Sequence, residues 1–129
     1  MKRDDSFKRG KNNIDMILLN ILCNGDCYGY QLSQLVREYS GHMLSLPEGS
    51  LYPSLYRMEE LGYITGKKKL VARRMERIYY HIEPSGREYL NQLIADYEHL
   101  NAAIQKIMQC GKEYELTAQN TTFMGDSRR

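Results

Sequence analysis

The stretch "EGSLYPSLYRMEELGYI", Glu48 to Ile64, decides how the rest of the chain is read. Leu51, Leu55 and Met58 recur at helical spacing, and Gly62 follows as a stop signal. Pro53 sits inside this pattern. A proline in a helix interior removes one backbone hydrogen bond and clashes with the preceding turn, at a cost of about 3 kcal/mol. In the first turn it is harmless, because backbone N–H groups there have no partner within the helix. Pro53 therefore fixes the helix start. Gly49 or Ser50 is the N-cap, Ser50 being the better by chemistry, and the helix runs from Leu51 to Leu61. At about 100° per residue, Leu51, Leu55 and Met58 face inward. Ser50, Pro53, Tyr56, Arg57 and Glu60 face outward, with Tyr52 and Ser54 on the flanks. The outward set joins an arginine able to reach bases with hydroxyls suited to phosphate oxygens.

Upstream, residues 13–23 form a first helix that is apolar nearly all round (Ile14, Ile17, Leu18, Ile21 and Leu22 on one face, Met16 and Leu19 on the other), as a helix covered on both sides requires. "NGD" supplies a turn, and residues 29–39 form a second helix with Leu32, Leu35, Val36 and Tyr39 at amphipathic spacing. Downstream, "YITGKKKLV" and "ERIYYHI" are two short β-prone runs around a basic tip. In the second, Ile78, Tyr80 and Ile82 alternate with Arg77, Tyr79 and His81, as in a strand with one buried face. Three helices followed by a hairpin is the order of a winged helix-turn-helix, with the quoted stretch as its recognition helix. The fold class is mainly α with a small β-hairpin.

"EPSGREYL" opens a last helix. Leu90, Leu93, Tyr97, Leu100, Ile104 and Ile107 fall along it at alternating steps of three and four, a seam that packs against another helix. In so small a chain the expected partner is a second copy. The organisation is then a flexible arm over 1–12, a winged helix-turn-helix over 13–83, a dimerisation helix over 84–110 and a disordered tail over 111–129.

The formal charge of the 129 residues is only +2, but it is unevenly placed. Residues 66–77, "GKKKLVARRMER", hold Lys67, Lys68, Lys69, Arg73, Arg74 and Arg77 against Glu76 alone, whereas residues 83–116 are acidic on balance. One surface, not the whole molecule, meets a polyanion. Alternation separates Lys67 and Lys69 from Lys68, so the three lysines do not all face DNA. The longest apolar run, "IDMILLNILC", is too short to cross a membrane. Three cysteines form no disulfide framework and fit a reducing compartment, so the chain reads as cytoplasmic. Cys23 and Cys27 are four apart, but His42, His81 and His99 show no ligand spacing with them, so buried structural thiols are the default and no metal or cofactor is expected. The sequence offers no nucleophile–base pair or phosphate loop of an enzyme.

The expected DNA contacts are Ser50, Tyr52, Pro53, Ser54, Tyr56 and Arg57 on the recognition helix, and Lys67, Lys69, Arg73 and Arg74 on the wing. Tyr28, Tyr30 and Gln31 join them from the start of the second helix, where at least one tyrosine packs in the core instead.

At this point the chain resembles the PadR family of bacterial transcriptional regulators. The resemblance is carried by "YGYQLSQLV", "GSLYPSLYRMEELGYI" and "RRMERIYYHIEPSGREYL", and it covers residues 14–108. Ile82–Glu83–Pro84 stands where the family often has Leu-Thr. The resemblance implies a homodimer in which the last helix packs on the partner's first and last helices. Ile14, Ile17, Leu18 and Ile21 would then join Leu90, Leu93, Tyr97, Leu100, Ile104 and Ile107 at the interface. It also implies repression from an inverted-repeat operator, relieved in some members by a planar aromatic or cationic effector between protomers. Tyr97 has two readings, a packing aromatic of the seam or, with Leu93 and Leu100, a stacking surface for such an effector. The competing function is a winged-helix protein-interaction module without specific DNA binding.

Overall fold

The computed structural model describes residues 13–120, with side chains through residue 111. The arm expected over 1–12 lies outside the described residues. Helix α1 (Asn13–Leu22) is followed by a short strand β1 (Cys27–Tyr28), helix α2 (Gly29–Tyr39) and helix α3 (Glu48–Glu60). Strands β2 (Ile64–Ala72) and β3 (Met75–Ile82) and helix α4 (Pro84–Asn120) complete the described chain. The architecture is a winged helix-turn-helix extended by one long helix.

Two features differ from the sequence expectation. The hairpin is the larger part of a three-stranded antiparallel sheet in the order β1-β3-β2. The third strand has Cys27 opposite Tyr80 and Tyr28 opposite Tyr79. Two residues are too few to display a period, so β1 left no signal. The second difference is the start of α3. Its N-cap is Pro47, in extended conformation, whose carbonyl accepts the N–H groups of Ser50 and Leu51 at 2.9 Å each. The helix thus begins three residues before Leu51, and Ser50 lies inside its first turn. Pro53 is consequently a second-turn proline. The helix accepts it because the carbonyl it cannot bond, that of Gly49, sits with Pro53 on the exposed face and can turn to water. The signal for the earlier start was present in Pro47 followed by Glu48, an acidic first-turn residue that suits the helix dipole.

The other end of α3 stops as expected. Gly62 takes φ +84°, its N–H bonds the Glu59 carbonyl at 3.1 Å, and the Tyr63 N–H bonds that of Met58 at 2.9 Å. This paired closure needs a left-handed residue, which glycine supplies at no Cβ cost.

The core is continuous from helices to sheet. Leu18, Leu19 and Leu22 of α1, Leu32 and Val36 of α2, and Leu51, Leu55 and Met58 of α3 meet Ile64, Tyr80 and Ile82 of the sheet. Leu90 and Leu93 of α4 close it. Four residues expected at a dimer interface are therefore core residues of a single chain: Leu18 is fully buried, and Ile21, Leu90 and Leu93 are 5–6% exposed. The first turns of the α4 seam find their helix partner in α1 of the same chain. Only beyond them does the seam open: Leu100 is half-buried and Tyr97, Ile104 and Ile107 are exposed. Helix α4 continues past 110 through Gly111 to Asn120, since a glycine alone weakens a helix without ending it. The remainder of the expected tail, 121–129, lies outside the described residues.

Candidate nucleic-acid interface

Three segments converge on one face: the start of α2, the exposed side of α3, and the wing made by β2 and β3. Between them lies an open cleft of about 480 Å³, lined by Tyr28, Gly29, Tyr30, Tyr52, Tyr56 and the β3 residues Glu76, Arg77, Ile78 and Tyr80. Tyr30 and Tyr56 are largely exposed, at 61% and 58%. Tyr52 lies against Gly29 so closely that a Cβ there would stand 2.5 Å from the Tyr52 hydroxyl. Its own hydroxyl proton is held more tightly than usual, by burial first and then by the negative charge of Glu48.

The register of β2 and β3 sorts the basic residues. Lys67 lies opposite Tyr79 and Lys69 opposite Arg77, while Lys68 lies opposite Ile78 on the other face. The first set forms an aromatic–cation ladder. Lys69 Nζ stands 4.8 Å from the Tyr79 ring centre, and the Arg77 guanidinium 4.2 Å from that of Tyr28. The two rings meet edge to face at 5.3 Å. Such contacts hold long cationic side chains in set positions without neutralising them. Arg73 and Arg74 form the exposed wing tip, where Arg74 takes φ +61°. Helix and wing are tied together where the Glu59 carboxylate accepts the Gly66 N–H at 3.2 Å.

Pro53 and Tyr56 are exposed on this face, Ser50 is half-buried, and Lys67, Lys69, Arg73 and Arg74 are all exposed. Three expected contacts are engaged within the chain. Ser54 is buried, at 9% exposure, because the inward side of α3 is wider than its leucines alone suggested. The Gln31 side-chain carbonyl accepts the Tyr28 N–H at 3.4 Å, so this residue caps α2. Arg57 is not among the residues lining the cleft and is paired with Asp15 of α1, its Nη2 lying 2.7 Å from each carboxylate oxygen. The hydrogen bond to Asp15 is the main reason its guanidinium binds its proton even more firmly than usual. Arg57 is therefore not a free base-reading arginine. The remaining charged side chains of α3, Glu48, Glu59 and Glu60, are acidic, so the positive charge of the face comes from the wing.

Sequence reasoning missed Arg77, Tyr79, Asp15 and Tyr89. The alternation in β3 already grouped Arg77 with Tyr79, but linking them to Lys67 and Lys69 needed the strand register. Asp15 gave no signal because one acid among apolar residues reads as a solvent-facing position. Around the cysteines, Cys27 is buried, and burial, with Asp26 second, raises its thiol pKa and disfavours the thiolate. No group of metal-ligating side chains occurs among the described residues. No described helix is long and apolar enough to cross a membrane.

A family model described as the transcriptional regulator PadR-like family matches residues 18–92. A transcriptional regulator from Clostridium thermocellum is 32% identical, with a TM-score of 0.69 over 74% of this chain and 92% of that one. The negative transcriptional regulator PadR of Bacillus subtilis is 26% identical over 74 residues, 57% of this chain but 41% of its own length. A crystal structure of Bacillus subtilis PadR in complex with operator DNA shares the fold at 17% identity, with a TM-score of 0.58 over 90% of this chain and 82% of that one. With the winged fold and this extent of match, the chain belongs to the PadR-like family, whose members are DNA-binding transcriptional regulators and not enzymes.

Proposed function

We propose that the chain is a cytoplasmic, dimeric repressor that reads an inverted-repeat operator with the exposed side of α3 and clamps the flanking backbone with its wing. The carrying observation is the tyrosine-lined cleft between the start of α2, the exposed side of α3 and the edge of β3, whose rim residue Arg77 belongs to the Lys67–Tyr79–Lys69–Arg77 ladder on the other face of the wing. Tyr28, Tyr30 and Tyr52 supply hydroxyls toward phosphate oxygens, Tyr56 and Pro53 approach base edges, and Lys67, Lys69, Arg73 and Arg74 neutralise phosphates. Repression is supported by the name of the Bacillus subtilis relative. Dimerisation is supported by the exposed apolar run of Tyr97, Ile104, Ile107 and Met108 on α4, which a second copy would cover. Two recognition helices would then enter successive major grooves about 34 Å apart. The exposed ring of Tyr97, beside Leu100 at that interface, would offer a planar aromatic or cationic effector a stacking surface. Leu93, already in the core, would only support it from beneath.

The test is a fluorescence-anisotropy titration against duplex DNA from upstream of the chain's own gene, with scrambled duplex as control, at two salt concentrations. Binding that favours the upstream duplex at both salts is expected. Equal binding to both duplexes would remove sequence-specific repression at that site, and binding to neither would favour a protein-interaction module.

A further inference from the structure

Asp15 is 1% exposed, yet it lies at the junction of three helices. Its two carboxylate oxygens take Arg57 Nη2 of α3 at 2.7 Å each, and Oδ2 also accepts the hydroxyl of Tyr89 of α4 at 2.8 Å. The Tyr89 ring in turn stacks on Tyr63, just past the end of α3, with centres 4.3 Å apart and planes 16° from parallel. A buried carboxylate is tolerated only when its partners are well placed, and removing one partner leaves the other uncompensated. Arg57, by contrast, keeps 45% of its side chain exposed.

We propose that Asp15 and Tyr89 are positioning residues for DNA reading: they hold Arg57 as a neutralised anchor that sets the pose of α3 on α1 and α4 and keeps its charge from binding DNA indiscriminately. The inference rests on the DNA-binding reading above and adds to it the source of discrimination. A recognition helix with a free arginine beside its DNA face would gain affinity for every sequence alike, because phosphate contacts carry no sequence information. Pairing that arginine with a buried carboxylate removes this gain, and the Tyr89 hydroxyl fixes the carboxylate from the helix that carries the exposed seam.

The test compares Asp15→Asn, Tyr89→Phe and the double variant Asp15→Asn/Arg57→Gln with the unmodified chain. The readouts are anisotropy on a duplex selected by the unmodified chain from a random pool, anisotropy on scrambled duplex, and thermal melting to set each folded fraction. In Asp15→Asn the freed guanidinium should tighten binding to scrambled DNA about 3-fold or more and steepen the salt slope by about 0.9, one further phosphate contact. The double variant should return scrambled binding to the unmodified level. Tyr89→Phe, which keeps the ring and its stack, should weaken binding to the selected duplex several-fold and leave scrambled binding unchanged. If both duplexes weaken together, in step with lost folded protein, the cluster is only structural and the proposal is overturned. If every variant keeps the unmodified ratio of selected to scrambled binding, it is likewise overturned. If the random pool yields no preferred duplex for the unmodified chain, the DNA-reading itself fails, and the proposal falls with it.

Discussion

Arg74, at the tip of the wing, occupies the left-handed region at φ +61°, where a side chain with a Cβ costs about 1 kcal/mol or more. A glycine would fit that backbone without strain, yet the position holds a cation. We expect Arg74→Gly to raise stability by about 0.5–1 kcal/mol in a urea titration while weakening DNA binding of any sequence, so that the two effects have opposite signs. Gly86 poses the opposite problem. A Cβ there would sit 2.2 Å from the backbone carbonyl oxygen of Tyr63, and a backbone atom cannot swing aside. Gly86→Ala should therefore destabilise the fold by about 1–3 kcal/mol, measured by the same titration. Single residues were also where the sequence was hardest to read. Arg57 looked free because its position on the helix wheel is outward, and a wheel does not say which neighbouring helix approaches that flank. Gly86 gave no sign of its role, since close approach is a property of the partner segment, here the turn after α3.

The wing is the element whose design follows most directly from alternation. Lys67 and Lys69 share a face with Tyr79, Arg77 and Tyr28, and Lys68 does not. Lys67→Glu should weaken binding to selected and scrambled DNA alike and flatten the salt slope by about one contact, whereas Lys68→Glu should change both less. Anisotropy over a salt series checks the contrast, and equal effects of the two substitutions would place the DNA elsewhere on the hairpin. On the opposite face Tyr80 is buried, and burial, reinforced by Glu59, pushes its hydroxyl up to about 12. Tyr89 is pushed up to about 12 as well, by burial first and then by its bond to Asp15. In both cases the folded chain holds the proton more tightly than the unfolded chain, whose tyrosines ionise near 10. The stability they contribute is complete below pH 10 and is lost as pH rises toward 12, so melting temperature should fall across that window. Tyr89→Phe should blunt the fall. At this scale the sequence was informative wherever a period had room to repeat: α1, α2 and the hairpin were all legible. It failed for β1, which spans two residues. It also placed the start of α3 late, because Pro53 was read as a first-turn proline when Pro47 already held that end of the helix.

For the whole molecule, α4 has a packed half and an open half. Leu90 and Leu93 complete the core of their own chain, while Tyr97, Ile104 and Ile107 remain exposed beyond it. The seam was legible in the sequence as an apolar stripe, but periodicity reports an apolar face and not what packs against it. Ile104→Glu should leave the fold intact, with unchanged far-ultraviolet circular dichroism. It should also shift sedimentation from dimer to monomer, with operator affinity falling as the two half-sites uncouple. A dimer unaffected by that substitution would move the interface elsewhere. The winged fold itself followed from element order, and the proposed DNA face rests on the recognition helix and the basic hairpin together. The pairing of Arg57 arose where one element contacts another, whereas Gln31 is engaged locally as the cap of its own helix. The face is tested most directly by amide hydrogen exchange, read by mass spectrometry, with and without a duplex that the chain has selected. We expect slowed exchange in segments 28–31, 48–57 and 66–77, with α1 unchanged. Protection centred on other segments, with these three exchanging as in the free chain, would contradict the assignment of this face to DNA.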